Sequence, residues 1–139
     1  ATETSKKNQL ISVAIAERDL NNDVLLAWSY PATSKALDRA IIKRSDLENI
    51  DCADQSFIWT RQDHSWLWLL PTTVRAEHLY LTEQVSRFVI AIQSQDFDPE
   101  KYKALCEVLV HLYQSSANTV NVLEAYLSVF ATGQFQGPQ

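Results

Sequence analysis

Asp96-Phe97-Asp98-Pro99-Glu100-Lys101-Tyr102 opens the stretch that decides the fold, residues 96–133. Asp98 is placed to cap a helix, because its carboxylate can accept hydrogen bonds from first-turn amides and suits the positive end of the helix dipole. Pro99 falls at the first helical position, where a missing N–H is harmless, and Glu100 adds negative charge to the same turn. Tyr102, Leu105, Cys106, Leu109, Leu112 and Tyr113 recur at helical spacing and form one apolar stripe. Ser115, Ser116 and Asn118 interrupt it, predicting a four-residue break with Asn118 or Thr119 capping the next helix. Val122, Leu123, Tyr126, Leu127 and Phe130 supply the second stripe, and Gly133 is the expected stop. A short loop between helices implies an antiparallel pair. Both stripes need a cover, and the earlier chain must supply it.

That earlier chain reads as a sheet. Ile11, Val13 and Ile15 alternate with Ser12, Ala14 and Ala16 in a first strand from about Leu10 to Glu17, and the small residues leave room for a helix on their side. Asn21-Asn22-Asp23 is a turn cluster. Val24 to Tyr30 is a second strand, with Leu26, Trp28 and Tyr30 on one face and Leu25 and Ala27 on the other, so the two strands form a hairpin. Pro31 ends it. Thr33 or Ser34 caps a helix to about Arg44 with Leu37, Ala40 and Ile41 inward, and a polar connector runs from Ser45 to Gln55. Phe57 to Arg61 and Trp66 to Leu70 flank a second hairpin turn at Gln62-Asp63-His64. An excursion from Pro71 through Leu81 leads to a last strand, Arg87 to Gln93, with Phe88, Ile90 and Ile92 on one face and Val89 and Ala91 on the other. The order is two strands, a helix, three strands and two helices. Strands apolar on both faces need cover on both, which predicts a three-layer α/β domain with one helix on one side and two on the other.

The 139 residues suit one domain. A net charge of −5 argues against nucleic acid as the main partner, and no apolar run reaches the roughly 20 residues of a membrane span. Residues 1–9 read as a disordered lead-in and 136–139 as a tail at a truncation point. Cys52 and Cys106 make no disulfide framework, which favours a reducing, cytosolic setting.

Only two glycines occur, Gly133 and Gly137. Phosphate-cradling loops, dinucleotide fingerprints and Gly-flanked serine elbows all need glycine geometry upstream of that point, so nucleotide binding by this chain alone is not expected, nor any cofactor. His64, His78 and His111 are scattered. Glu107 and His111 stand four apart on a helix, the spacing of two metal ligands and equally of a solvent-facing pair, and the second reading is preferred. Cys106 with His78 or His111 would be a thiol nucleophile and base, but its stripe position makes it a core residue. No catalytic residue is expected. Two interaction candidates remain. Trp28, Trp59, Trp66 and Trp68, with Tyr30, are mostly core, and any left exposed would anchor a partner. Lys35, Arg39 and Lys43, four apart on the first helix, suit an acidic partner or membrane surface, against the commoner role of a solvated face.

The element order matches the longin fold, the N-terminal lobe of DENN-domain proteins. Trp28-Ser29-Tyr30-Pro31-Ala32-Thr33, Asp96 to Tyr102, and Glu124-Ala125-Tyr126-Leu127-Ser128-Val129 resemble one branch, the small DENN-domain proteins associated with the Commander endosomal recycling assembly. The resemblance runs from about Gln9 to Phe135, making residues 10–135 the longin (upstream DENN) domain. Trp28, Pro31, Asp98, Pro99, Tyr102 and Tyr126 are its structural signature.

The resemblance implies Rab GTPase regulation in late-endosomal recycling traffic, from the cytoplasmic side as a peripheral protein, with coiled-coil Commander subunits as further partners. DENN proteins promote guanine nucleotide exchange by clamping a Rab between the longin lobe and a larger DENN lobe, without catalytic side chains. This chain stops where the second lobe is expected, so it is read as a binding lobe and not an enzyme by itself. Self-pairing of the isolated lobe through a strand edge is open to it. The alternatives are a free-standing longin adaptor of a SNARE or tethering complex and, from another class, a small metal-dependent hydrolase.

Overall fold

The computed structural model describes residues 9–50, 56–78 and 80–132. The order is β1 (Leu10–Asp19), β2 (Val24–Tyr30), α1 (Lys35–Arg44), β3 (Ile58–Gln62), β4 (Ser65–Thr73), β5 (Val85–Ser94), α2 (Pro99–Ser116) and α3 (Thr119–Thr132). The strands form one antiparallel sheet in the order β2-β1-β5-β4-β3. Ala14, Ala16, Val89, Ala91, Leu67 and Leu69 meet Leu37 and Ile41 of α1 on one face. On the other, Val13, Ile15, Phe88, Ile90, Ile92 and Trp68 meet α2 and α3. The expected longin-like layering is present, and the small β1 residues lie on the α1 side as anticipated.

Each helix start follows from its cap. The Ser34 hydroxyl accepts a hydrogen bond from the Leu37 amide, and the Asp98 carboxylate accepts one from Lys101, with Pro99 first in the helix. With no glycine available before Gly133, the left-handed backbone positions fall to Asn22, Asp46, Asp63 and Ala117. Asn and Asp tolerate that region, and they hold the turns of both hairpins and the exit of α1.

Several expectations are corrected. The register slips between Leu10 and Ser12, so Leu10, and not Ile11, joins the core beside Val13. A second irregularity leaves Ala27 as an extra residue between the pairs Ile15–Trp28 and Ala16–Leu26. Leu26 therefore packs on the α1 side and Trp28 on the α2–α3 side, where a strict alternation had put them together. Pro71 lies inside β4, opposite Val89. β3 ends its pairing at Leu69, so among the described residues β5 alone lies beside β4 there and a proline removes less of the ladder.

The break between α2 and α3 is two residues, not four. Ser115 and Ser116 donate hydrogen bonds back to the Leu112 carbonyl and stay helical, and Asn118 caps the amide of Val120. On α3, Val129 is buried and Leu127 is exposed, the reverse of the expected stripe. Gln9 is already tied, its carbonyl accepting from the Gln95 amide at 2.8 Å. Residues 1–8, the connector at 51–55, Cys52, Gly133 and the tail lie outside the described residues.

Candidate interaction surface

The corner where β3, β4 and the start of α2 meet is made of aromatic rings. Trp68 is fully buried and is the hub, with Phe57, Trp59, Trp66, Phe97 and Tyr102 all 5.0–6.3 Å away by ring centroid. Trp59 stands directly opposite Trp68 on the edge strand, and Arg61 opposite Trp66, its guanidinium 5.0 Å above the indole ring. Burial falls outward from the hub. Trp66 is half-buried, while Trp59 and Phe97 are 45% and 51% exposed.

The motif at the helix start sets this geometry. Trp68 donates its indole N–H to Ser94 Oγ at 2.8 Å, and Ser94 donates to the Asp96 carbonyl at 2.9 Å. The Asp96 carboxylate accepts from the Tyr102 hydroxyl at 2.5 Å. Burial, and then the Asp96 partner, push the Tyr102 phenol above its ordinary range. With Asp96 pinned at both ends and Asp98 capping α2, Phe97 has no inward path. It lies across Trp66 at 4.7 Å and meets Trp59 edge-on at 6.2 Å. The run Asp96 to Tyr102 thus does two things: it starts a helix and holds an aromatic ring at the surface. Beside this ridge, Phe57, Trp59, Leu70, Pro99, Lys103 and Glu107 line an open depression of about 490 Å³.

The chemistry-bearing side chains do not converge. Cys106 is fully buried, and burial pushes its thiol well above the usual range, which makes it an inert core residue. Glu107 and His111 both face solvent on α2, but Glu107 borders the aromatic depression while His111 lines another hollow with Glu77, His78 and Tyr80. His78 Nδ1 accepts the Arg75 amide. His64 is exposed in the β3–β4 turn. Among the described residues no three His, Cys, Asp or Glu side chains are grouped as metal ligands.

Lys35, Arg39 and Lys43 are exposed on α1, on the opposite layer from Trp59, so the two interaction candidates are not one site. The structural signature residues hold the frame: Tyr102 and Tyr126 are buried under the sheet, Trp28 packs beside them, and Pro31 follows a cis peptide bond at the end of β2. Sequence reading held Trp59 within a set of tryptophans taken as mostly core, any exposed one an anchor, without saying which, and passed over the Phe97 ring as a surface group. What separates Trp59 from Trp68 is edge position, which alternation does not carry, and what exposes Phe97 is the pinning of Asp96.

Among the described residues no helix is long and apolar enough to cross a membrane. No family model matches the chain. It is 26% identical over all 139 of its residues to human DENN domain-containing protein 10, covering 38% of that protein. It is 27% identical to the proteins of that name from Danio rerio, over 94% of this chain and 37% of the relative, and Dictyostelium discoideum, over 89% and 37%. The chain therefore spans under two-fifths of the length of the curated relatives it matches. Its longin-like layers and its end-to-end sequence similarity together make it a homologue of the DENN-domain proteins.

Proposed function

We propose that this chain is a protein-binding lobe of a DENN-type Rab regulator acting in endosomal recycling traffic, and that the ridge of Trp59 and Phe97 is its partner-binding surface. The observation that carries the reading is the similarity of this whole chain to part of DENN domain-containing protein 10. Two exposed aromatic rings fixed on a rigid frame fit the anchors that dominate protein interfaces. In this reading the lobe supplies shape and no catalytic side chain, and exchange requires a second lobe to hold the Rab from its other side. Lys35, Arg39 and Lys43 then provide a separate, salt-sensitive contact to an acidic partner or to the endosomal surface. Coiled-coil endosomal subunits such as those of Commander are the next partners in line.

The test is binding and nucleotide release across a panel of endosomal Rabs. This chain is compared with a chimera carrying the remaining segment of a full-length relative. Expected is binding by both, exchange by the chimera alone, and a loss of about 2 kcal/mol or more in affinity for Trp59→Ala. No binding and no exchange by either protein would refute the Rab reading and favour the adaptor alternative.

A further inference from the structure

The strand that carries Trp59 is also a sheet edge. β3, Ile-Trp-Thr-Arg-Gln, pairs with β4, and among the described residues no strand lies on its outer side. Its register with β4 is unbroken from Ile58 to Gln62 and closes on the two-residue turn of Asp63 and His64. The closing pair of such a turn, Gln62 with Ser65, is a hydrogen-bonded one. Bonded and non-bonded pairs alternate from there along the strands. Thr60 and Ile58 therefore bond to β4, while the N–H and C=O of Trp59 and Arg61 point outward. Among the described residues, what reaches these outward groups is a long contact, 3.4 Å from the Thr60 hydroxyl to the Arg61 carbonyl.

The side chains follow the same alternation. Ile58 packs on the α1 face. Phe57, Trp59 and Arg61 take the α2 face: Phe57 stacks on Trp68 at 5.9 Å, Trp59 meets it at 6.0 Å, and Arg61 lies over Trp66. A charge on an edge strand normally discourages pairing. Here the guanidinium is drawn onto a ring, out of the plane in which a further strand would bond. It stays exposed, with no carboxylate paired to it among the described residues. Phe57 and Trp59 continue into the depression closed by Leu70, Pro99, Lys103 and Glu107.

We infer that this edge holds its partner by strand addition. An extended segment lies antiparallel to β3, with an acidic residue opposite Arg61 and apolar residues facing Trp59 and then Phe57. The inference rests on the ridge being the partner surface, and it does not require that the partner be a Rab. The backbone selects the occupant. A helix has no free main-chain groups along its length, so one laid against this edge would cover the Trp59 and Arg61 peptides with their hydrogen bonds unmade. An extended chain completes them and places alternate side chains on the ring face. β2 does not offer the same straight row, because its ladder is interrupted at Ala27. Antiparallel pairing matches the rest of the sheet and fixes the order in the partner: the acid comes two residues before the first apolar group.

The probe is an end-capped peptide, Thr-Asp-Thr-Leu-Thr-Leu-Thr, titrated by calorimetry against this chain. N-methylation at Asp or at the first Leu, whose amides face β3, should weaken binding at least about tenfold. Methylation at the Thr between them, whose amide faces away, should cost much less. Arg61→Glu, checked for folding by circular dichroism, should reject this peptide and accept its counterpart with Lys in place of Asp. Amide exchange read by NMR should slow at Trp59 and Arg61 on binding and stay unchanged at Thr60. A peptide that does not bind, equal losses from methylation at Thr and at Asp, or protection without that alternation would each overturn the inference. Rab binding without peptide binding overturns strand addition alone, and peptide binding without any Rab refutes the Rab reading alone.

Discussion

The two edges of one sheet have been finished in opposite ways. At the β3 edge the exposed groups are large flat rings, each braced from below: Trp59 on Trp68, and Phe97 on Trp66 through the pinned Asp96 loop. At the β2 edge the exposed groups are mainly aliphatic, and the strand is bulged at Ala27. Braced rings bring large contact area with little entropy left to lose, which suits a specific partner of another kind. Exposed apolar area alone does not distinguish the two surfaces. Their support does.

The strongest way to break this contrast is at the hub. Trp68→Ala should destabilise the fold by about 3–5 kcal/mol in urea unfolding, because it opens a cavity under every ring at the β3 edge. Trp59→Ala should change stability by less than about 1 kcal/mol, since the ring is already half in water. Equal losses would mean that Trp59 is a core residue and the ridge is not a surface.

Alkaline titration loosens both edges at once. Tyr102 lies under the β3 edge, Tyr126 under the β2 edge and Tyr113 between them. Burial raises all three phenols above the ordinary 10.0, with Asp96 adding at Tyr102 and Glu17, which accepts the Tyr113 hydroxyl, adding at Tyr113. Below pH 10 folded and unfolded chains hold these protons equally. Above it the unfolded chain releases protons that the folded one keeps, so stability must fall as pH rises. Denaturant midpoints followed from pH 8 to 11 should decline above about pH 10, and less steeply in Tyr126→Phe. A flat profile would show that the phenols are not held in their neutral form.

Smaller changes separate the edges. Asp98→Ala should lose about 0.5–2 kcal/mol with the cap, and hydrogen exchange should quicken around Phe97 while β2 is unaffected. Uniform quickening would mean that the helix start does not locally support the ridge. Ala117 holds a left-handed backbone, with φ at 53°, between α2 and α3. Ala117→Gly should raise the melting midpoint by an amount equivalent to about 0.5–1 kcal/mol, as glycine enters that region without a Cβ penalty. A lower midpoint would show that the packing of the Ala117 methyl outweighs the strain.

Much of this was legible in the residues. Caps, turn clusters and period-two stretches marked every element in order, and the small residues of β1 marked the side of α1. Two kinds of information were not. Bulges depend on how a strand pairs with its neighbour, so the separation of Leu26 from Trp28 had no local sign. Exposure at an edge depends on strand order in the finished sheet. Trp59 and Trp68 look alike in sequence, and only the positions of β3 at the rim and β4 inside it make one an anchor and the other a foundation. The same limit hid Leu127: its spacing fits the stripe of α3, but the core beneath that helix buries Val122, Tyr126 and Val129 and takes Ala125 and Phe130 at its margin.

The measurement that tests the account most directly is hydrogen exchange of this chain alone and with a Rab found to bind in the exchange panel. The account predicts that the Rab protects β3 and the Asp96–Tyr102 loop and leaves β2 unchanged. Protection of β2 by the Rab, with no effect at Trp59 and Phe97, would contradict it.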